Sequence, residues 1–92
     1  MIIARRLKIT GRVQGVGYRD WFLLQARKLK LTGWVRNRND GWVEALCIGS
    51  EADVWAIIAC AHDGPHLAHV DHIEIETAQG IAALDFRRLP TV

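Results

Sequence analysis

The sequence has little of what marks a fibrous, secreted or membrane-spanning protein. Two prolines and eight glycines in 92 residues, with half of the residues apolar and 24% charged, exclude a collagen-like, coiled-coil or disordered chain. Cysteine is scarce as well. Cys47 and Cys60 lie in apolar surroundings, without CxxC spacing or a secretory disulfide framework, and both are expected as buried thiols. No stretch approaches the roughly 20 apolar residues of a membrane span, and Met1-Ile-Ile-Ala-Arg-Arg has no apolar segment of signal-peptide length. The expected compartment is therefore the cytoplasm. Nor does one sign of charge dominate. Twelve Lys and Arg against ten Asp and Glu leave +2, far from the field of a nonspecific nucleic-acid or membrane binder.

A chain of this length hides only roughly 60 to 65% of its unfolded surface, enough for one modest core. Residues 1–92 are expected to form a single domain with any active site on the rim of that core. Basic residues cluster at Arg5, Arg6, Lys8, Arg12 and Arg19 and again at Arg27, Lys28, Lys30, Arg36 and Arg38. Most read as solvated strand and helix faces, although a small anion suits them too.

From Ile3 to Val13 the pattern alternates, with Ile3, Leu7, Ile9 and Val13 in one phase and Ala4, Arg6, Lys8, Thr10 and Arg12 in the other, as in a half-buried strand. After Gly15-Val16-Gly17 the period changes, and Tyr18, Phe22, Ala26 and Leu29 form the stripe of an amphipathic helix. Thr32–Asn37 and Trp42–Ile48, joined at Asp40-Gly41, read as a hairpin with Val43, Ala45 and Cys47 in one phase. Ser50 with Asp53 marks a helix N-terminus, Val54, Ile57, Ile58 and Ala61 follow at helical spacing, and Gly64-Pro65 ends the run. Asp71, Ile73, Ile75 and Thr77 alternate with His72, Glu74 and Glu76 as another strand, and Leu84–Leu89 supplies a short last one. The order βαββαβ with right-handed crossovers predicts an α+β, ferredoxin-like split βαβ sandwich: an antiparallel sheet with two helices on one face. Many unrelated functions share that architecture, so the site must discriminate.

Two segments carry the chemistry. In GRVQGVGYR (residues 11–19), Gly15 and Gly17 permit a backbone path in which successive N–H groups line a concavity at a helix N-terminus, a cradle for phosphate. Arg19 lies in the first helical turn, where the dipole disfavours a cation, and a bound phosphoryl group would account for it. In GWVRNRNDG (residues 33–41), Asn39, Asp40 and Gly41 suffice for the turn, leaving Asn37 without a structural task. The first two strands run in the same direction, which places Asn37 at the same sheet edge as the glycine loop.

Together, GRVQGVGYR and GWVRNRNDGWVEA resemble the two signature motifs of the acylphosphatase family, and the likeness extends over nearly the whole chain. The resemblance implies that Arg19 binds phosphate, Asn37 positions water, and Gln14, Gly15, Val16, Gly17 and Tyr18 form the backbone cradle. It implies no cofactor and no metal, a small-molecule acyl phosphate as substrate, inorganic phosphate as product, no nucleic-acid or membrane partner, and a monomer.

The residue chemistry narrows the substrate class. Asn37 is too weak a base to deprotonate water, and neither motif places a His, Asp or Glu for general acid catalysis. The leaving group must depart unaided. A carboxylate does so, its acid having a pKa near ~4, whereas an alkoxide needs a proton or a metal. The competing reading is a noncatalytic anion- or RNA-binding module on the same fold, or an interaction domain with a residual pocket. His62, His66, His69 and His72 straddle a helix end, a loop and a strand and are not expected to hold a metal. Trp21, Trp34, Trp42 and Trp55 are expected in packing roles, with Trp34 and Trp42 flanking the hairpin and Trp55 off the second helix's stripe.

One departure from the family pattern is Lys30, where members usually place the glycine of a left-handed helix cap; lysine there costs roughly 1 kcal/mol. The tail resembles the family's last strand, with Phe86 as its core residue. Beyond it, through Pro90, the chain is expected to fray, and Arg87 and Arg88 are expected as surface arginines.

Overall fold

Alternation and helical spacing become real elements in the computed structural model, which describes residues 1–80 and 85–92. The chain runs β1 (Ile2–Arg12), α1 (Tyr18–Lys28), β2 (Thr32–Asn37), β3 (Val43–Ser50), α2 (Glu51–Ala61), β4 (His69–Thr77) and β5 (Phe86–Arg88). The strands form one sheet in the order β4-β1-β3-β2-β5. β1 pairs antiparallel with β3 and β4, and β2 antiparallel with β3. The last strand departs from the expected all-antiparallel sheet: β5 pairs parallel with β2, Gly33 opposite Phe86 and Val35 opposite Arg88. The split βαβ sandwich therefore carries a mixed sheet. Leu84, expected to open the last strand, lies outside the described residues.

The core fills the space between the helices and one sheet face. Leu7, Ile9, Val35, Val43, Ala45 and Cys47 from the strands meet Tyr18, Phe22 and Ala26 of α1 and Val54, Ile57, Ile58 and Ala61 of α2. Phe86 closes it on the β5 side, its ring centroid 5.8 Å from that of Phe22. The N-terminus of α2 is capped as expected, Ser50 Oγ accepting from the Asp53 N–H at 3.2 Å.

Three residues and the C-terminal tail depart from the expected pattern. Ala4, in the solvent phase of β1, is nevertheless buried at 7% exposure. Ile75, in the core phase of β4, is 41% exposed, because β4 is an edge strand and α2 packs over β1 and β3 instead. Cys60 is only half-buried, unlike Cys47. The tail is hydrogen-bonded rather than frayed: Leu89 N donates to Val35 O at 2.9 Å, Val92 N to Asn37 O at 3.3 Å, and Asn39 N to Val92 O at 2.8 Å. Pro90 interrupts this parallel ladder without ending it.

On the face away from the helices, the basic residues read as solvated strand faces gather on one carboxylate. Glu44 is 4% exposed and is met by Arg36 at 2.8 Å, Arg38 at 3.2 Å and Arg6 at 3.7 Å. Arg36 also covers the Trp34 ring at 4.6 Å, while Lys8 and Arg38 cover Trp42 at 4.8 and 5.3 Å. Cation–π stacking thus occupies both tryptophans of the hairpin. Trp55, off its helix stripe as expected, is 44% exposed.

Candidate active site

The β1–α1 loop is shaped by two left-handed glycines. Gly15 (φ 72°) and Gly17 (φ 81°) have nothing within 4 Å of where a Cβ would stand, so backbone conformation, not space, is what selects glycine here. Gly17 is the N-cap of α1 and no side chain caps that end. The first-turn N–H groups of an α-helix have no intrahelical acceptor and, with the helix dipole, favour an anion.

Parallel running of β1 and β2 brings Asn37 beside this loop. A cavity of about 210 Å³ is lined by Val13, Gln14, Gly15, Gly17, Tyr18, Arg19, Asp20, Asn37 and Arg88. Of the residues read from the sequence, Gln14, Gly15, Gly17, Tyr18, Arg19 and Asn37 come together there. Val16 does not line it; its side chain is half-buried against the core.

Each residue has a distinct task. Gln14 Nε2 donates to Arg38 O at 2.8 Å and Trp42 O at 2.9 Å, tying the loop to the hairpin that carries Asn37. The Tyr18 hydroxyl points away from the cavity and donates to Ala61 O at 2.7 Å. Asn37 Oδ1 is buried, with no hydrogen-bond partner among the described residues, an acceptor that ordinary packing would leave satisfied. Arg19 is half-buried, and its pKa is lowered first by burial and then by the positive charge of Arg88, with Asp20 opposing. It nonetheless remains a cation, as guanidinium does in proteins.

Two lining residues escaped the sequence reading. Asp20 follows the first motif directly, and Arg88, exposed as expected, also reaches the cavity from β5 and is paired with Asp20. No spacing rule links positions 20 and 88; only the parallel pairing of β5 with β2 brings them together.

The acylphosphatase family model matches residues 5–87. The chain belongs to the acylphosphatase family. It is 46% identical over 90 residues to an acylphosphatase of Rhizorhabdus wittichii, covering 98% of this chain and 91% of that protein. The crystal structure of the Bacillus subtilis acylphosphatase superposes with a TM-score of 0.91 at 33% identity, covering 97% of this chain and 99% of that one. An acylphosphatase from Coxiella burnetii superposes with the same TM-score, 0.91, at 30% identity over 96% of this chain and 93% of that one. The chain's function is that of an acylphosphatase enzyme, in preference to a noncatalytic anion- or RNA-binding module. On the open sheet face, moreover, the tryptophans an RNA would stack on carry cations, and three of the arginines are engaged with Glu44.

Proposed function

We propose that the chain hydrolyses the carboxyl–phosphate bond of acyl phosphates by direct in-line attack of water, without a metal. The observation that carries this reading is the convergence of Arg19, the glycine loop and Asn37 on one cavity. Arg19 and the loop N–H groups hold the nonbridging oxygens, and the charge they supply matches that of a phosphoryl group in flight. Asn37, which lines the cavity, orients the attacking water opposite the leaving oxygen. The O–P bond to water forms as the P–O bond to the acyl group breaks, and a phosphoryl oxygen takes the water proton.

The leaving carboxylate needs no proton, which suits a cavity whose carboxylate, Asp20, is engaged with Arg88. An alkoxide would need an acid that the lining does not offer, so phosphate monoesters are poor substrates. The same reading takes residues 1–92 as one domain, a cytoplasmic monomer acting on a small molecule.

The test is hydrolysis of an aromatic acyl phosphate in the presence of a metal chelator. Removing one such donor costs about 2.7 to 4 kcal/mol, or 10²- to 10³-fold in kcat. Arg19→Ala is expected to lose phosphate binding and turnover together, and folded Asn37→Ala to lose turnover while still binding phosphate. Tight phosphate binding by folded Arg19→Ala would overturn the assignment.

A further inference from the structure

Arg88 has a setting that the reaction as described does not use. β5 is only three residues long, and alternation sends its side chains to opposite faces. Phe86 enters the core. Arg87 lies on the open face in a groove with Trp34 and Leu46. Arg88, opposite Val35, faces the helix side at the end of the sheet where β2 delivers Asn37. It therefore lines the same cavity as Arg19.

Two guanidinium groups converging on one small cavity repel each other unless an anion lies between them. A single carboxylate, Asp20, offsets them, and it is itself 65% exposed in its side chain. Arg88 uses Nη1 on Asp20. Arginine has five N–H donors in a planar fork, so the pair with Asp20 fixes the group's orientation and leaves donors for a ligand. Asp20 in turn is placed by α1, where a first-turn carboxylate is favoured by the dipole.

We propose that Arg88 is a second phosphoryl ligand of the site, held in position by Asp20 and binding the oxyanion that Arg19 and the loop leave accessible. This rests on the reading of Arg19 and the glycine loop as the phosphoryl site. It places the ligand's charge, rather than its acyl group, as what Arg88 recognises, so inorganic phosphate is a sufficient probe.

Calorimetric titration of phosphate into wild type, Arg88→Ala, Arg88→Gln, Arg87→Ala and Arg19→Ala, each checked for folding, decides the matter. Loss of one charge-assisted hydrogen bond in a partly wet site is expected to weaken phosphate binding by about tenfold in Arg88→Ala. Arg88→Gln is expected to match that loss and serves if the alanine variant does not fold. Arg87→Ala removes the same net charge from the other face and is expected to stay within about twofold of wild type, because a remote exposed charge is screened. If folded Arg88 variants bind phosphate as well as Arg87→Ala does, while Arg19→Ala has lost it, the proposal fails and the phosphoryl site stands. If Arg19→Ala also binds normally, both fail.

Discussion

Lys30 gives the sharpest test of the backbone argument. It is the one non-glycine residue at positive φ among those described, at 56°, and its side chain is exposed. It closes α1 by two hydrogen bonds, Leu31 N to Ala26 O and Lys30 N to Arg27 O, both 3.0 Å. These are the paired bonds of a Schellman cap, in which the left-handed residue is usually glycine. A side chain in that conformation costs about 1 to 2 kcal/mol. Glycine removes the strain but adds about 0.4 to 1 kcal/mol of unfolded-chain entropy. Lys30→Gly also loses an ammonium near the helix C-terminus, worth about 0.3 to 1 kcal/mol, and Lys30→Ala loses it equally. The comparison that isolates φ is therefore glycine against alanine, with glycine expected to be more stable by about 1 kcal/mol, or roughly 4 to 8 °C in Tm for a domain of this size. Urea denaturation with equal m-values measures it. A Lys30→Gly variant no more stable than Lys30→Ala would refute the strain account.

Two further outcomes follow from buried groups. Tyr18→Phe leaves the Ala61 carbonyl without its 2.7 Å donor and is expected to lower stability by about 1 to 2 kcal/mol by denaturation. Its turnover is expected to stay near the wild-type value, since the hydroxyl points away from the cavity. At alkaline pH, burial pushes the Cys47 thiol from its ordinary 9.0 up to about 12, and burial raises the Tyr18 hydroxyl as well. Both groups are held neutral in the folded chain and ionise earlier when unfolded, so their contribution is complete below pH 9 and is lost as pH rises. For Cys47 the fall is about 1.4 kcal/mol per pH unit between 9 and 12. Denaturation at a series of pH values should show Cys47→Val with a shallower alkaline decline than wild type; parallel curves would contradict the burial argument.

The elements were legible wherever a residue's fate depended on its neighbours in sequence. The periods of Leu7 and Ile9, of Tyr18, Phe22 and Ala26, and of Val54, Ile57, Ile58 and Ala61 report one buried face each, and all are buried. The Ser50 cap and the Lys30 anomaly are equally local, a hydroxyl three residues from its donor and a lysine where the backbone turns left-handed. Even the meeting of Arg19 and Asn37 could be read in advance, because a right-handed crossover obliges β1 and β2 to run the same way.

What failed to show was set by position within the sheet. Ile75 has a core pattern but sits on an edge strand that the helices do not cover. Glu44 looks like one more solvent-facing strand residue until β1, β2 and β3 are aligned and three arginines close over it. Arg88 is a surface residue, as a short tail suggests, but its reach into the cavity is not written in its neighbours. Periodicity and backbone conformation act over a few residues, which is why the elements, the glycine loop, Arg19 and Asn37 could be picked out along the chain. The tertiary structure alone decided that β5 lies parallel to β2, because pairing between distant segments depends on which sheet edge is left open. That choice sets Arg88 against Asp20 and carries a second cation into the cavity.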